Sequence, residues 1–239
     1  MKKLITITTL LAAGAALANA ETIWLPIETS TGLSQSDLRP AAPNKTEAQV
    51  IEDLLGYNAG SYAGGNNNSI DGNWGTNREG VVSGSIDAGY SVTLLGRTRV
   101  GGDWFGSIID ASSLSLPSDE SLLSFNLSFT GASGTISPNV KAILALKTDS
   151  GVYYETLAST AGGANGNISW NVSSISDIDT VSKFAVYFQG TGGTATSSYT
   201  ISNIKASLTT GAIPEPSAFG LLAGLGALAL AGTRRRRRK

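Results

Sequence analysis

The sequence predicts an all-β protein: an antiparallel sandwich of two sheets, jelly-roll-like, with one short helix near the start of the folded part. Three observations predict it. Leu123, Phe125, Leu127 and Phe129 are separated by Ser124, Asn126 and Ser128, the two-residue period of a strand with one dry face and one wet face. Runs of the same kind cover 140–147, 152–157, 183–189 and 199–208. Between them, 131–134, 149–151, 162–166 and 190–193 carry the Gly, Asp and Ser clusters of turns. Short strands without interleaved helices bury their apolar faces against a second sheet, and the jelly roll is the topology such a chain is expected to take.

The elements follow in chain order. Residues 21–45 contain Trp24, Pro26, Pro40 and Pro43 without a sustained period and read as an extended lead-in or edge strand. A helix comes next. Thr46 and Gln49 have the spacing of a capping box, Val50, Ile51, Leu54 and Leu55 share one face, and Gly56 stands where a C′ glycine belongs. Gly and Asn dominate 58–78, including Gly64-Gly65-Asn66-Asn67-Asn68, which predicts a long surface loop. Strand alternation begins at Val81. In the last run the apolar phase slips between Ile201 and Ile204, and a bulge near Ser202 and Asn203 accounts for the slip.

The two ends carry patterns unlike a folded domain. Lys2 and Lys3 precede an apolar run over 4–17, and the stretch closes on Ala18-Asn19-Ala20, the three-part plan of a secretory signal peptide cut after Ala20. Ala18 and Ala20 are the small side chains that a signal peptidase accepts. The other end reads Ile213-Pro214-Glu215-Pro216, then an apolar stretch over 219–231 with Phe219, Leu221, Leu222, Leu225, Leu228 and Leu230, then Arg234, Arg235, Arg236, Arg237, Arg238 and Lys239. Two prolines around one carboxylate keep the backbone extended and out of regular pairing, a form that a protease can thread. The apolar stretch is shorter than the roughly 20 residues of a full span. Ser217, Ala218, Gly232 and Thr233 lengthen it cheaply and the arginines snorkel, so a thin or temporary transmembrane helix is expected, with the cationic block held in the cytoplasm.

In this order, Pro-Glu-Pro, single apolar span and terminal cations resemble the PEP-CTERM sorting signal of Gram-negative bacteria. The resemblance implies an exported substrate of an exosortase, a membrane-embedded cysteine protease. It implies that Ile213, Pro214, Glu215 and Pro216 form the recognition motif, 219–231 the transient anchor and 234–239 the retention block. Ile213 stands where valine is frequent in that family, a conservative departure. The resemblance covers only the C-terminal tail and says nothing of what the folded part does. A second, looser resemblance covers about half of the folded part. Gly151-Val152-Tyr153-Tyr154-Glu155, Trp170, Phe184-Ala185-Val186-Tyr187-Phe188 and Tyr199-Thr200-Ile201-Ser202-Asn203-Ile204 look like the closing strands of carbohydrate-binding jelly rolls.

The chain is thus expected to divide into a signal peptide over 1–20, a lead-in with helix and Gly/Asn-rich loop over 21–79, a β-sandwich over 80–210, and the sorting signal over 211–239. Its expected partners are the export translocon, signal peptidase, an exosortase-type protease and a polysaccharide. The expected route runs through transient inner-membrane anchoring to the cell surface or the extracellular space.

Composition narrows the chemistry. The formal charge of the whole chain is −1, but residues 21–213 hold 9 basic and 17 acidic side chains, a formal −8, which argues against nucleic acid as a partner. There is no cysteine and no histidine. The fold therefore relies on its apolar core without disulfides, and Ser-His-Asp catalysis, Cys-His catalysis and ordinary zinc ligand sets are excluded. No catalytic residue, metal ligand or cofactor is expected. Asp71, Asn73 and Asp103 are the residues that a structural calcium would take, yet their spacing matches no calcium-loop template and turn chemistry explains them better.

Three functions fit these observations. The first is non-enzymatic display, adhesion or association with exopolysaccharide. The second is a carbohydrate-binding module, for which an exposed aromatic platform beside amides or carboxylates is needed; Trp74 in the Gly/Asn loop and Tyr153 are the candidates. Tyr154 and Trp104 are weaker ones, and Trp104, Phe105 and Trp170 lie in apolar runs where core packing is expected. The third is a glycoside hydrolase or polysaccharide lyase. Asp177 and Asp179 would share a face on a strand, but 174–180 reads as a turn, so enzymatic activity is not expected.

Overall fold

The computed structural model describes residues 20–34, 46–64, 79–95, 104–118, 120–134, 139–191 and 198–212. The expected signal peptide before Ala20, the expected sorting motif at 213–216 with its apolar stretch and cationic block, and Asp71, Asn73, Trp74 and Asp103 lie outside the described residues.

The described strands are β1 Glu21–Trp24, β2 Ser30–Ser34, β3 Gly60–Gly64, β4 Glu79–Ser85, β5 Gly89–Leu95, β6 Trp104–Asp110, β7 Glu120–Gly134, β8 Asn139–Lys147, β9 Val152–Thr160, β10 Asn165–Asn171, β11 Lys183–Thr191 and β12 Tyr199–Ala212; the helix α1 is Glu47–Leu55. Sheet I has the order β10-β7-β12-β5-β4-β2, with β1 beside the C-terminal half of β12. Sheet II has the order β3-β6-β11-β8-β9. From β5 to β12 the chain changes sheet at every connection except the β8–β9 hairpin. The result is β5-β12-β7-β10 over β6-β11-β8-β9, the eight strands of a jelly roll. The lead-in joins both layers, since β1 pairs with β12 and β3 pairs with β6.

The core follows from the alternation. Phe125 and Phe129 of β7 point inward and meet Phe184 and Phe188 of β11 edge to face, at centroid separations of 5.5 Å and 5.0 Å. A second apolar layer covers the outer side of sheet II. Val50, Ile51, Leu54 and Leu55 of α1 pack there on Trp104, Ile108, Ile143, Ala145, Ala185 and Tyr187. Strands β8 and β11 are consequently buried on both faces, which is why their sequences are nearly continuous in apolar residues. At 9 residues α1 is far too short to span a bilayer, and no described helix is long and apolar enough to do so.

The capping box at the start of α1 forms as expected: the Gln49 N–H donates to Thr46 Oγ1 at 3.3 Å, and the Thr46 N–H donates to Gln49 Oε1 at 2.9 Å. Thr46→Ala leaves the Gln49 N–H to water and is expected to lower stability by about 1 kcal/mol, read as a shift in the urea midpoint. The bulge in β12 also forms. Asn203 sits there at φ 53°, a left-handed conformation that asparagine tolerates, and Ile201 and Ile204 both remain fully buried.

Several local expectations are corrected. Gly56 closes α1 at φ −74°, in the right-handed region, so it is not a left-handed cap; its N–H donates to the Glu52 and Asp53 carbonyls, tightening the last turn. Part of the expected 58–78 loop is strand β3, because an edge strand needs only one paired neighbour and Ala63 supplies an inward contact. The turn expected through 166 ends earlier, since β10 begins at Asn165. Leu123 does not share the dry face of Phe125. The β7–β12 register slips between Thr209 and Thr210, so Leu122 turns inward and Leu123 is left 38% exposed.

Candidate functional site

The outer face of sheet I is polar, and among the described residues no element packs over it. Along β7 the inward Phe125, Leu127 and Phe129 leave Ser124, Asn126, Ser128 and Thr130 outward; along β10, Asn165, Asn167, Ser169 and Asn171 are exposed. Lys205 and Thr209 continue this face on β12, with Ser207 between them only 7% exposed. The side chains form two hydrogen-bonded networks. Asn126 Nδ2 donates to Ser124 Oγ at 3.0 Å and to Thr209 Oγ1 at 3.2 Å, while Ser169 Oγ donates to Asn126 Oδ1 at 2.8 Å. Asn203 Nδ2 donates to Thr130 Oγ1, and Thr130 Oγ1 donates to Asn165 Oδ1, both at 3.1 Å. Such networks fix amide and hydroxyl groups in place before any ligand arrives.

Among the described residues, the ring of Trp24 borders this face. Trp24 is the most exposed large apolar side chain described, at 44%, and Lys205 Nζ lies 5.8 Å above its ring. That cation steadies the indole. The registers Trp24↔Ser207, Ser207↔Asn126 and Asn126↔Ser169 place the four residues in one row across β1, β12, β7 and β10. With strands about 4.8 Å apart the row is about 14 Å long. An apolar ring beside ordered amides and hydroxyls is the pairing that a pyranose requires, with its C–H face and its polar rim.

Sequence reasoning missed Trp24 as a ligand candidate, although the signal was present. Ile23 packs on the core, and Leu25 and Ile27 are buried at 1% and 2%, so the intervening Trp24 belongs to the wet side. The other aromatics are placed differently. Trp104 and Phe105 are buried, as their apolar runs predicted, and Trp170 packs against the core, stacked on Phe125 at 6.5 Å. Tyr153 also rests against the core, with its hydroxyl 3.5 Å from Asp177 Oδ1, which leaves it little surface for a sugar. Its neighbour Tyr154 is the exposed one and borders an open depression of about 350 Å³ between α1 and the β8–β9 turn, together with Glu52, Lys147 and Asp149.

Asp177 and Asp179 do not lie on a strand. Asp177 precedes the short helical turn Ile178–Thr180 and fastens it to the β8–β9 turn. Hydrogen bonds from the Thr148 and Ser150 side chains and from the Ser150 N–H, at 3.0 Å, hold its carboxyl down at about 2. The Thr148 hydroxyl also lies 3.4 Å from the Gly151 carbonyl oxygen and serves one acceptor at a time. A folded value below the ordinary 3.8 means that this contribution to stability is complete above about pH 4 and is lost as pH falls toward 2. Asp177→Asn is therefore expected to destabilise the protein at pH 7, and the gap from the parent should narrow steadily between pH 4 and pH 2 in denaturant titrations. Among the described residues, no group of three or more acidic side chains is placed to hold a metal ion.

The fold and this face define an antiparallel jelly-roll sandwich with an amide-rich outer face on one sheet. Comparison adds the routing: residues 212–238 match the PEP-CTERM protein-sorting motif, so the chain carries that motif and is an exported protein. No curated protein matches the chain in sequence. Solved structures similar in part include one described as a carbohydrate-binding module of the β-sandwich superfamily, at 14% identity, TM-score 0.38, covering 70% of this chain and 63% of that one. Another is the C-terminal family 22 carbohydrate-binding module of Clostridium thermocellum Xyn10B, at 16% identity, TM-score 0.33, covering 66% and 89%. A third is a xylan-binding domain from family 22, at 15% identity, TM-score 0.32, covering 74% and 97%. At these values the likeness is one of sandwich shape in part of the chain and says nothing of a ligand.

Proposed function

We propose that this exported protein works without catalysis at the cell surface or in the extracellular matrix, where the outer face of sheet I associates with exopolysaccharide. The observation that carries this reading is the row Trp24, Ser207, Asn126 and Ser169, in which an exposed ring is in register, across the buried Ser207, with the hydrogen-bonded pair Asn126 and Ser169. A flat row suits a polymer chain better than a free monosaccharide, which needs enclosure to bury most of its surface. The absence of histidine and cysteine, and the engagement of Asp177 in turn hydrogen bonds, favour binding over turnover. Delivery follows the tail: the signal peptide is cut after Ala20, an exosortase recognises residues 213–216, and the span over 219–231 and the block over 234–239 hold the chain in the membrane until then.

The test is a polysaccharide array scored for both retention and reducing-end release. Retention without release is expected. Trp24→Ala should weaken retention about thirtyfold, equivalent to about 2 kcal/mol, with the fold intact by circular dichroism. Tyr154→Ala, at the separate depression, should leave retention unchanged; the reverse result would move the site there. Release of reducing ends would overturn the non-catalytic reading, and neither retention nor release would leave display or adhesion as the function.

A further inference from the structure

The start of β1 and the end of β12 are paired neighbours. Glu21, the first residue of β1, is in register with Thr210, and on the other side Thr210, Gly211 and Ala212 are in register with Leu122, Ser121 and Glu120 of β7. β12 is therefore held along both edges as far as Thr210, and Gly211 and Ala212 are held by β7 alone. This strand end is also locked by side chains. Thr210 is 2% exposed and its hydroxyl donates to the Glu120 carboxylate; the Leu123 side chain lies so close over Gly211 that a β-carbon there would stand 2.7 Å from Leu Cδ1. Ile213, the first residue of the sorting motif, follows Ala212 directly. No linker separates the motif from a residue that is still part of the ladder.

A protease binds its substrate as an extended strand on both sides of the scissile bond, and residues whose backbone groups are still paired in a sheet are not free to be bound in that way. We propose that residues 210–212 must leave the sheet before the sorting motif is processed, so that the stability of this strand end sets the processing rate. This rests on the reading of residues 213–216 as the recognition site. The controlling contacts are Thr210 with Glu120, Leu123 over Gly211, and β1 along the opposite edge. Local opening of a strand end is far cheaper than global unfolding, and cleavage follows the population of the open form when reclosing is fast. The strand end is thus a timing element: a chain that folds before it meets the protease is cut slowly, and one that meets it before β1 and β12 pair is cut quickly.

Cross-linking tests this directly, because the chain has no cysteine of its own. Glu120→Cys with Ala212→Cys joins register partners across an antiparallel pair, within disulfide reach, and the oxidising exterior allows the bond to form. Tail loss is followed by mass spectrometry in a pulse-chase in the native host. The cross-linked chain is expected to lose its tail about tenfold more slowly than the parent, or slower still. A short Gly-Ser insertion between Ala212 and Ile213 of the cross-linked chain should restore the parent's rate. Thr210→Ala, which removes the hydroxyl that ties the strand end to Glu120, should speed tail loss several-fold. A cross-linked chain cut at the parent's rate overturns the proposal and leaves the sorting reading standing, as does one that the insertion fails to rescue. A parent chain that keeps residues 213–239 overturns both.

Discussion

Phe188→Ala is expected to destabilise the protein by about 4 kcal/mol, a large part of the total stability of a domain of this size. Phe188 is fully buried on β11, between Phe105 of the same sheet at 6.4 Å and Phe129 of the opposite sheet at 5.0 Å. Truncation removes the transfer energy of the ring and leaves a cavity that the flanking strands cannot close, since β11 is hydrogen-bonded on both edges to β6 and β8. The edge-to-face contact with Phe129 is one of two such contacts joining β7 to β11, so the loss also loosens the grip of one sheet on the other. Urea titration should show a lower midpoint with little change in slope.

Gly166→Ala should cost about 3 kcal/mol although it adds only a methyl group. Gly166 lies within β10, opposite Phe129 of β7, and a β-carbon there would stand 2.5 Å from Cε1 of the Phe129 ring and closer still to Cζ. The ring has little room to move, because it is also packed edge to face on Phe188 at 5.0 Å. This glycine is required for space and not for an unusual backbone angle. The two predictions are coupled. In the double variant the cavity left by Phe188→Ala gives the Phe129 ring somewhere to go, so the combined loss should fall below the sum of the two single losses by about 1 kcal/mol or more. Strict additivity would mean that Phe129 is not the wedge between the two positions.

Much of this was legible in the sequence. The alternation of Phe125, Leu127 and Phe129 with polar residues assigned both faces of β7, the Thr46 and Gln49 spacing assigned the start of α1, and the phase slip at Ile201 and Ile204 located the bulge, because each is set by neighbours within a few residues. The sorting tail was equally legible, since its chemistry lies in a linear string and not in a fold. The topology was legible only as a class. Changes of sheet at nearly every connection appear as turns in the sequence, and a turn does not say which sheet the next strand joins.

What the sequence by itself determined is therefore the local and the linear: strand faces, the helix and its cap, an acidic exported domain without thiol or imidazole chemistry, and the motif that routes it. Tertiary structure alone decided what depends on register between distant segments. It turned Leu123 outward through a slip against β12, made Gly60–Gly64 a strand by giving it β6 to pair with, and seated Phe129 against Gly166. It also aligned Trp24 with Ser207, Asn126 and Ser169, residues that share no sequence neighbourhood. The physical reason is that a strand's own pattern fixes which side of it is dry, whereas the partners beside it are chosen by hydrogen bonding and packing summed over the whole sandwich.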